Sequence, residues 1–258
     1  MITPQGYTET LSKAEKNVSE KVKAYLKDPS EENVHDLRTS IRKLIATMDI
    51  LPKKIRRSKD SKIYLEGYER LLKANAKIRD IDIVLSKLPS HGDDAAFSKL
   101  ATKLMHMRDS LLKQARRAAA SIKDGEFSPK PDDVSASTIQ KRFKKTASSL
   151  AKKLKKRLQV VRKDPKNIDE IHKLREDSRR LRFTLEMDNT AESSKLLLVL
   201  ESWQEALGVI RDSDIFISHF KDEKEPSMIK EAVDREKSSR KENFEKFLEI
   251  AKETPSFQ

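Results

Sequence analysis

Three short motifs occur twice in this chain, in the same order and at nearly equal separations. That collinearity limits the fold more than any other feature. "KDP" at 27–29 returns at 163–165, His-x-Leu-Arg-x-x-x-Arg at 35–42 returns at 172–179, and "KIRDIDIV" at 77–84 returns as "VIRDSDIF" at 209–216. The three separations agree to within a handful of positions. Repetition on this scale marks a duplicated structural unit rather than three chance matches.

Each unit reads as helical. Prolines in "KDPS", "LPKK", "LPSHGDD", "KDPKN" and "KEPS" separate stretches whose apolar residues recur at helical spacing. The stripe Ile139, Phe143, Ala147, Leu150, Leu154, Leu158 and Val161 is one such face. Helices are predicted at about 7–27, 30–50, 60–88 and 94–123, then at about 137–163, 167–187, 191–220 and 227–253. "DGEFSPKPDDV", 124–134, is the linker between the halves. No stretch keeps the period-two alternation of a strand. The expected fold is all-α: one domain over 1–258, made of two four-helix bundles, 7–123 and 135–253, related by an internal pseudo-two-fold axis.

Composition narrows the chemistry. The chain has no cysteine, which excludes disulfides, thiolate metal sites and a cysteine nucleophile. The N-terminal "MITPQGYTET" lacks the basic start and apolar run of a signal peptide. The longest apolar run, "LLLVL" at 196–200, is far too short to span a bilayer. A soluble cytoplasmic protein without membrane association is expected. A net charge of +13 points to a polyanionic partner.

The duplicated histidine helices carry the sharpest signal. At helical pitch, His35, Arg38 and Arg42 fall within about 60° of one another. Val34, Leu37, Ile41, Leu44 and Met48 form a neighbouring apolar stripe, so the basic row flanks the core face instead of opposing it. His172, Arg175 and Arg179 repeat the row. Arg182 extends it by a turn where the first copy has Ile45. A charged helix face is ordinarily solvated and paired with nearby acids. Here Asp36 and Glu176 lie at other angles, and clustered cations repel unless an anion joins them. Arginine presents a fork of donors that matches phosphate oxygens. An anion site is the preferred reading.

A second basic row lies on the helix that opens the second half, where Lys141 to Lys163 contains no acid. Arg142, Lys153 and Arg157 align beside its apolar stripe, and Lys21 matches Arg157 in the first half. The repeated "RD-x-D" supplies Arg79, Asp80, Asp82, Arg211, Asp212 and Asp214. These acids either position neighbouring cations or form a carboxylate metal site for phosphoanhydride hydrolysis. Two aspartates per copy, with no glutamate or histidine close in sequence, favour positioning. A metal held by His35 and His172 would be repelled by the adjacent arginines. His91, His106 and His219 have no such company. No phosphate-binding glycine loop, zinc pattern or Ser–His–Asp arrangement is present. No metal, cofactor or catalytic residue is therefore expected. Gly208, with Ala76 in the matching place, suggests close helix packing.

These duplicated helices, H-x-x-R-x-x-x-R followed by RD-x-D, resemble the CHAD family (conserved histidine α-helical domain) over about residues 7–253. The resemblance implies two helical bundles with internal pseudo-symmetry and a basic central cleft that binds inorganic polyphosphate. It also implies association with polyphosphate granules. Carried over by position, His35, Arg38, Arg42, His172, Arg175 and Arg179 are the motif residues. Lys43 and Arg180 follow them, and Arg182 fits the longer basic pattern. Ile45 and a less basic first helix predict an asymmetric site dominated by the second half. The rival reading is a nucleic-acid binder, which the charge supports equally but the scarcity of aromatics does not.

Overall fold

The computed structural model describes residues 2–88, 95–122, 127, 129, 133–188, 190–220 and 227–252. Among these, every regular element is an α-helix: α1 (Pro4–Lys27), α2 (Glu31–Met48), α3 (Lys53–Arg56), α4 (Lys59–Ala74), α5 (Ala76–Lys87), α6 (Ala95–Ala120), α7 (Ala136–Lys163), α8 (Ile168–Leu185), α9 (Ala191–His219) and α10 (Ser227–Lys252). The expected linker 124–134 lies mostly outside the described residues, as do His91 and the predicted helix ends at 94, 123 and 253.

The punctuation seen in the sequence becomes helix caps. After Pro29, Ser30 accepts from the Asn33 amide to open α2, and after Pro165, Asn167 accepts from the Glu170 amide to open α8. Both first turns carry acids, Glu31 and Glu32 in one and Asp169 and Glu170 in the other, which suits the positive end of the helix dipole. Ser58, Ser135 and Thr190 cap α4, α7 and α9 in the same manner.

One predicted helix is broken. The 60–88 stretch divides at Asn75, which is fully buried at the end of α4. Asn75 donates to the Leu71 carbonyl with both its backbone amide (3.1 Å) and its side-chain Nδ2 (3.0 Å). The Leu72 carbonyl receives Arg38 Nη1 at 2.7 Å. A polar side chain that competes for the helix's own acceptors, with a guanidinium capping the freed carbonyl end, turns the backbone out of register. The matching residue in the second half is Leu207, and α9 runs unbroken from Ala191 to His219. Short α3 is a further turn that the helical period did not announce.

Apolar packing crosses the midpoint of the chain. α1 lies on α2, and α7 on α8; α2 meets α8, α5 meets α9, and α1 touches α7. The larger core cluster holds Leu11, Leu37 and Leu44 from the first half together with Leu174, Trp203 and Phe247 from the second. Trp203 and Phe247 sit edge to face at 5.4 Å. A smaller cluster forms beside the α5–α9 contact, from Ile81, Val84, Leu104, Ile215, Phe216 and Ile229.

Two ion pairs tie the halves together reciprocally. Lys43 of α2 reaches Glu186 at the end of α8 at 2.6 Å, and Arg180 of α8 reaches Asp49 at the end of α2. The shift in sequence that carries His35 onto His172 also carries Lys43 onto Arg180 and Asp49 onto Glu186. Exchanging the halves therefore maps one pair onto the other, the contact pattern of a self-complementary interface.

Because one core serves both halves, they should unfold together. Leu37→Ala, a change confined to the first half, should lower stability by about 2–5 kcal/mol. In urea, the fluorescence of Trp203 in the second half should shift by the same amount as helical circular dichroism. Two separated transitions would show that the halves are independent.

Candidate functional site: an arginine-lined cavity between the duplicated helices

α2 and α8 both bring their basic rows to the lining of a cavity of about 580 Å³, and α5 and α9 contribute the rest of it. His35, Arg38, Arg42, His172, Arg175, Arg179 and Arg182 all line it, as do Arg79, Asp80, Arg211 and Asp212. A second cavity of about 360 Å³ continues from it, sharing Arg42, Glu176, Arg179 and Phe183, and carries Arg180, Arg56 and Asp49. Ile45 lines this second cavity, not the first.

The arginines divide by what they already hold. Arg38 is engaged by the Leu72 carbonyl. Arg182 is engaged by Glu186 at 3.0 Å, by Gln204 at 3.3 Å and by Glu201 at 3.7 Å. Arg79 reaches Glu31 at 2.6 Å. Arg42 and Arg179 make no hydrogen bond or ion pair with any described residue. Arg175 lies over α9, and its Nε is buried without a partner. A methyl group placed on Gly208 would meet the Arg175 guanidinium at 3.7 Å, ordinary contact, so the expected close packing is of this side chain on the α9 backbone.

These cations sit uneasily. Burial lowers the pKa of Arg42 to about 9, and Arg38 and Arg175 add repulsion against the attraction of Glu176. Burial likewise pushes Arg38 and Arg175 down. His35 is held below its ordinary value by burial and then by Arg79, with Asp36 opposing and Arg42 and Arg175 adding to the depression. Such shifts describe positive charge that has lost water without gaining enough counter-charge.

The compensation is greater than the helical angles of α2 and α8 indicated. Glu176, expected off the basic row, lines both cavities. Asp80 and Asp212 enter from α5 and α9, with Glu201 and Glu205 from α9. Asp212 is itself raised by burial, with Arg175 and Arg79 drawing it back. The lining still carries seven arginines (38, 42, 79, 175, 179, 182 and 211) against five carboxylates (80, 176, 201, 205 and 212).

Five expected ligands are placed elsewhere. Lys21 pairs with Asp36 at 2.5 Å, and Lys43 pairs with Glu186. Arg142 donates to the Asp49 carbonyl at 2.5 Å. Arg157 bridges Glu170 and Asp177, each at 2.7 Å. Lys153 is exposed on α7. Arg180, already paired with Asp49, reaches only the smaller cavity.

The second aspartate of each "RD-x-D" points away from the cavity. Asp82 and Asp214, both nearly fully buried, pair with Arg108 of α6 at 2.6 Å and Arg240 of α10 at 2.5 Å. These two arginines went unread in the sequence, although they are spaced as the aspartates they bind are. Among the described residues, no group of three or more acids and histidines could hold a metal ion, and no helix is long and apolar enough to cross a membrane.

With this geometry in hand, the relatives of the chain can be placed. The CHAD domain model matches residues 9–221, and the chain belongs to the CHAD family. The crystal structure of the CHAD domain from the plant Ricinus communis superposes with a TM-score of 0.68 at 14% identity, covering 100% of this chain and 94% of that one. At that identity the likeness establishes the shared fold. No curated protein matches the sequence.

Removing one member of a buried charge pair strands the other. Arg108→Met should therefore destabilise the protein at neutral pH by about 3–5 kcal/mol. Burial already raises the pKa of Asp82, and Arg108 opposes that rise through its hydrogen bond. Without Arg108 the folded-state pKa climbs further above the unfolded one, so the deficit should shrink as pH falls through it. Chemical denaturation at pH 7 and pH 5 tests this; a pH-independent deficit would refute it.

Proposed function

We propose that this protein binds inorganic polyphosphate without hydrolysing it, in the cavity between α2 and α8. The carrying observation is a set of half-buried arginines from both halves, Arg42, Arg175 and Arg179, whose guanidinium groups make no hydrogen bond or ion pair with a described residue. A linear phosphate chain supplies closely spaced acceptors and negative charge to all three. The smaller cavity beyond Arg42 and Arg179 gives such a chain room to continue. The polyphosphate binding implied by the family resemblance supports the same reading, and a cytoplasmic location at polyphosphate granules would follow from it. The reciprocal Lys43–Glu186 and Arg180–Asp49 pairs support an architecture of two four-helix units about a pseudo-two-fold axis.

The rival readings find less in the geometry. A nucleic-acid groove would need stacking surfaces, and Phe183 is the sole aromatic ring of the cavity lining apart from the two histidines. A carboxylate metal centre would need the four aspartates to converge, whereas Asp82 and Asp214 are turned toward Arg108 and Arg240.

The double variant Arg175→Ala/Arg179→Ala should weaken polyphosphate binding by at least about 100-fold, since each charged hydrogen-bonding group is worth about 1.5–3 kcal/mol. Affinity in the wild type should fall steeply with salt as phosphate counterions are released. Calorimetric titration measures both. Unchanged affinity in the variant, or displacement of polyphosphate by RNA at equal phosphate concentration, would overturn the proposal.

A further inference from the structure

The motif histidines stand in two different states. In the second half, His172 Nε2 lies 3.1 Å from Asp214 Oδ2, and Arg211 Nη1 lies against the ring, 3.1 Å from Nδ1 and 3.3 Å from Nε2. Asp214 Oδ1 takes Arg240 Nε. A ring with its proton on Nε2 fits this arrangement: it donates to the buried carboxylate, and the guanidinium rests on a ring whose Nδ1 carries no proton to repel it. The chain of contacts runs from α10 through Asp214 and His172 to Arg211, which lines the cavity. With its one N–H given to Asp214, such a ring has no donor left for an anion.

The first half holds the same residues with the chain open. Arg108 donates to Asp82 Oδ1 at 2.6 Å, matching Arg240 on Asp214. Asp82 Oδ2, the counterpart of the oxygen that holds His172, is buried with no partner. His35 makes no hydrogen bond with a described residue. Arg79, the counterpart of Arg211, is drawn to Glu31. A buried carboxylate oxygen left unpaired is unfavourable, and the donor that pairs its counterpart is His172, the second copy of His35.

We propose that the motif histidine of each half is a positioning residue, which sets an arginine in the cavity by linking it to a buried aspartate. In the second half this relay is closed in the empty protein. In the first half it closes on binding: His35 turns its Nε2–H to Asp82 Oδ2, and Arg79 leaves Glu31 to take the place at its ring that Arg211 holds at His172. The role of the relay in binding rests on the polyphosphate reading; the relay itself does not.

Two measurements on the full chain separate these parts. Nitrogen NMR of the histidine rings, without ligand, should show His172 as a fixed Nε2–H tautomer that is lost in Asp214→Asn, while His35 samples both tautomers. A His172 ring without a fixed tautomer overturns the relay. Titration with tripolyphosphate should then show His172→Phe and Arg211→Met each binding about 10-fold more weakly, the scale expected for loss of an orienting partner. The double variant should be no weaker than either single one, and His172→Gln, which keeps a donor and an acceptor, should bind better than His172→Phe. Multiplied losses in the double variant would make His172 a direct ligand and overturn the positioning role. Added tripolyphosphate should also fix His35 as Nε2–H, and a His35 ring unchanged on binding overturns closure of the first half. A wild-type protein that ignores tripolyphosphate sinks the polyphosphate reading and the role in binding with it, while the His172 tautomer still reports on the relay.

Discussion

Packing α2 against α8 turns Arg38, Arg42, Arg175 and Arg179 toward one shared space, and the carboxylates of the lining offset their mutual repulsion only in part. The apolar stripes hold the two helices together against the rest. Val34, Leu37, Ile41 and Leu44 on α2 and Ile171, Leu174 and Leu181 on α8 are essentially removed from water. Burial of each such side chain contributes about 1.5–3 kcal/mol. The remaining restraint lies at the far ends of the same helices, where Lys43 and Arg180 each reach an acid of the other half. Arg42, Arg175 and Arg179 inside the cavity are thus left short of partners while Lys43 and Arg180 beside it are satisfied.

Much of this was legible where the relevant residues share one helix. The rows of α2 and α8 and their flanking relation to the core follow from helical geometry, and both rows line the cavity. What crosses between helices was hidden. Glu201 and Glu205 approach from α9, so the angles of α8 could not reveal them. Lys43 and Arg180 continue the basic pattern in sequence, but the crossing of their helices carries each to an acid of the opposite half. Lys21 and Arg157 match each other by position, and each turns to acids on the helix packed beside it. Arg108 and Arg240 were within reach of a longer comparison, since their separation repeats that of the RD-x-D motifs.

One departure from symmetry follows from a single difference between the halves. Asn75 ends α4 where Leu207 lets α9 continue. The freed Leu72 carbonyl engages Arg38, whereas its counterpart Arg175 finds an unbroken helix and keeps a buried Nε without an acceptor. The expectation of a stronger second half began from Ile45 and Arg182. In the structure Arg182 is held by Glu186, Gln204 and Glu201, so the contrast between Arg38 and Arg175 is the more telling one.

The reciprocal ion pairs bear on the kind of molecule the cavity suits. On the proposed two-fold architecture, an elongated guest meets the motif residues of one half or the other whichever of its ends arrives first, although Arg38 and Arg175 hold different partners. A nucleic-acid strand has a direction, and reversing it presents different atoms to each wall. A linear phosphate polymer reads the same from both ends. Host and guest would then share the same two-fold character, and either orientation of entry would be productive.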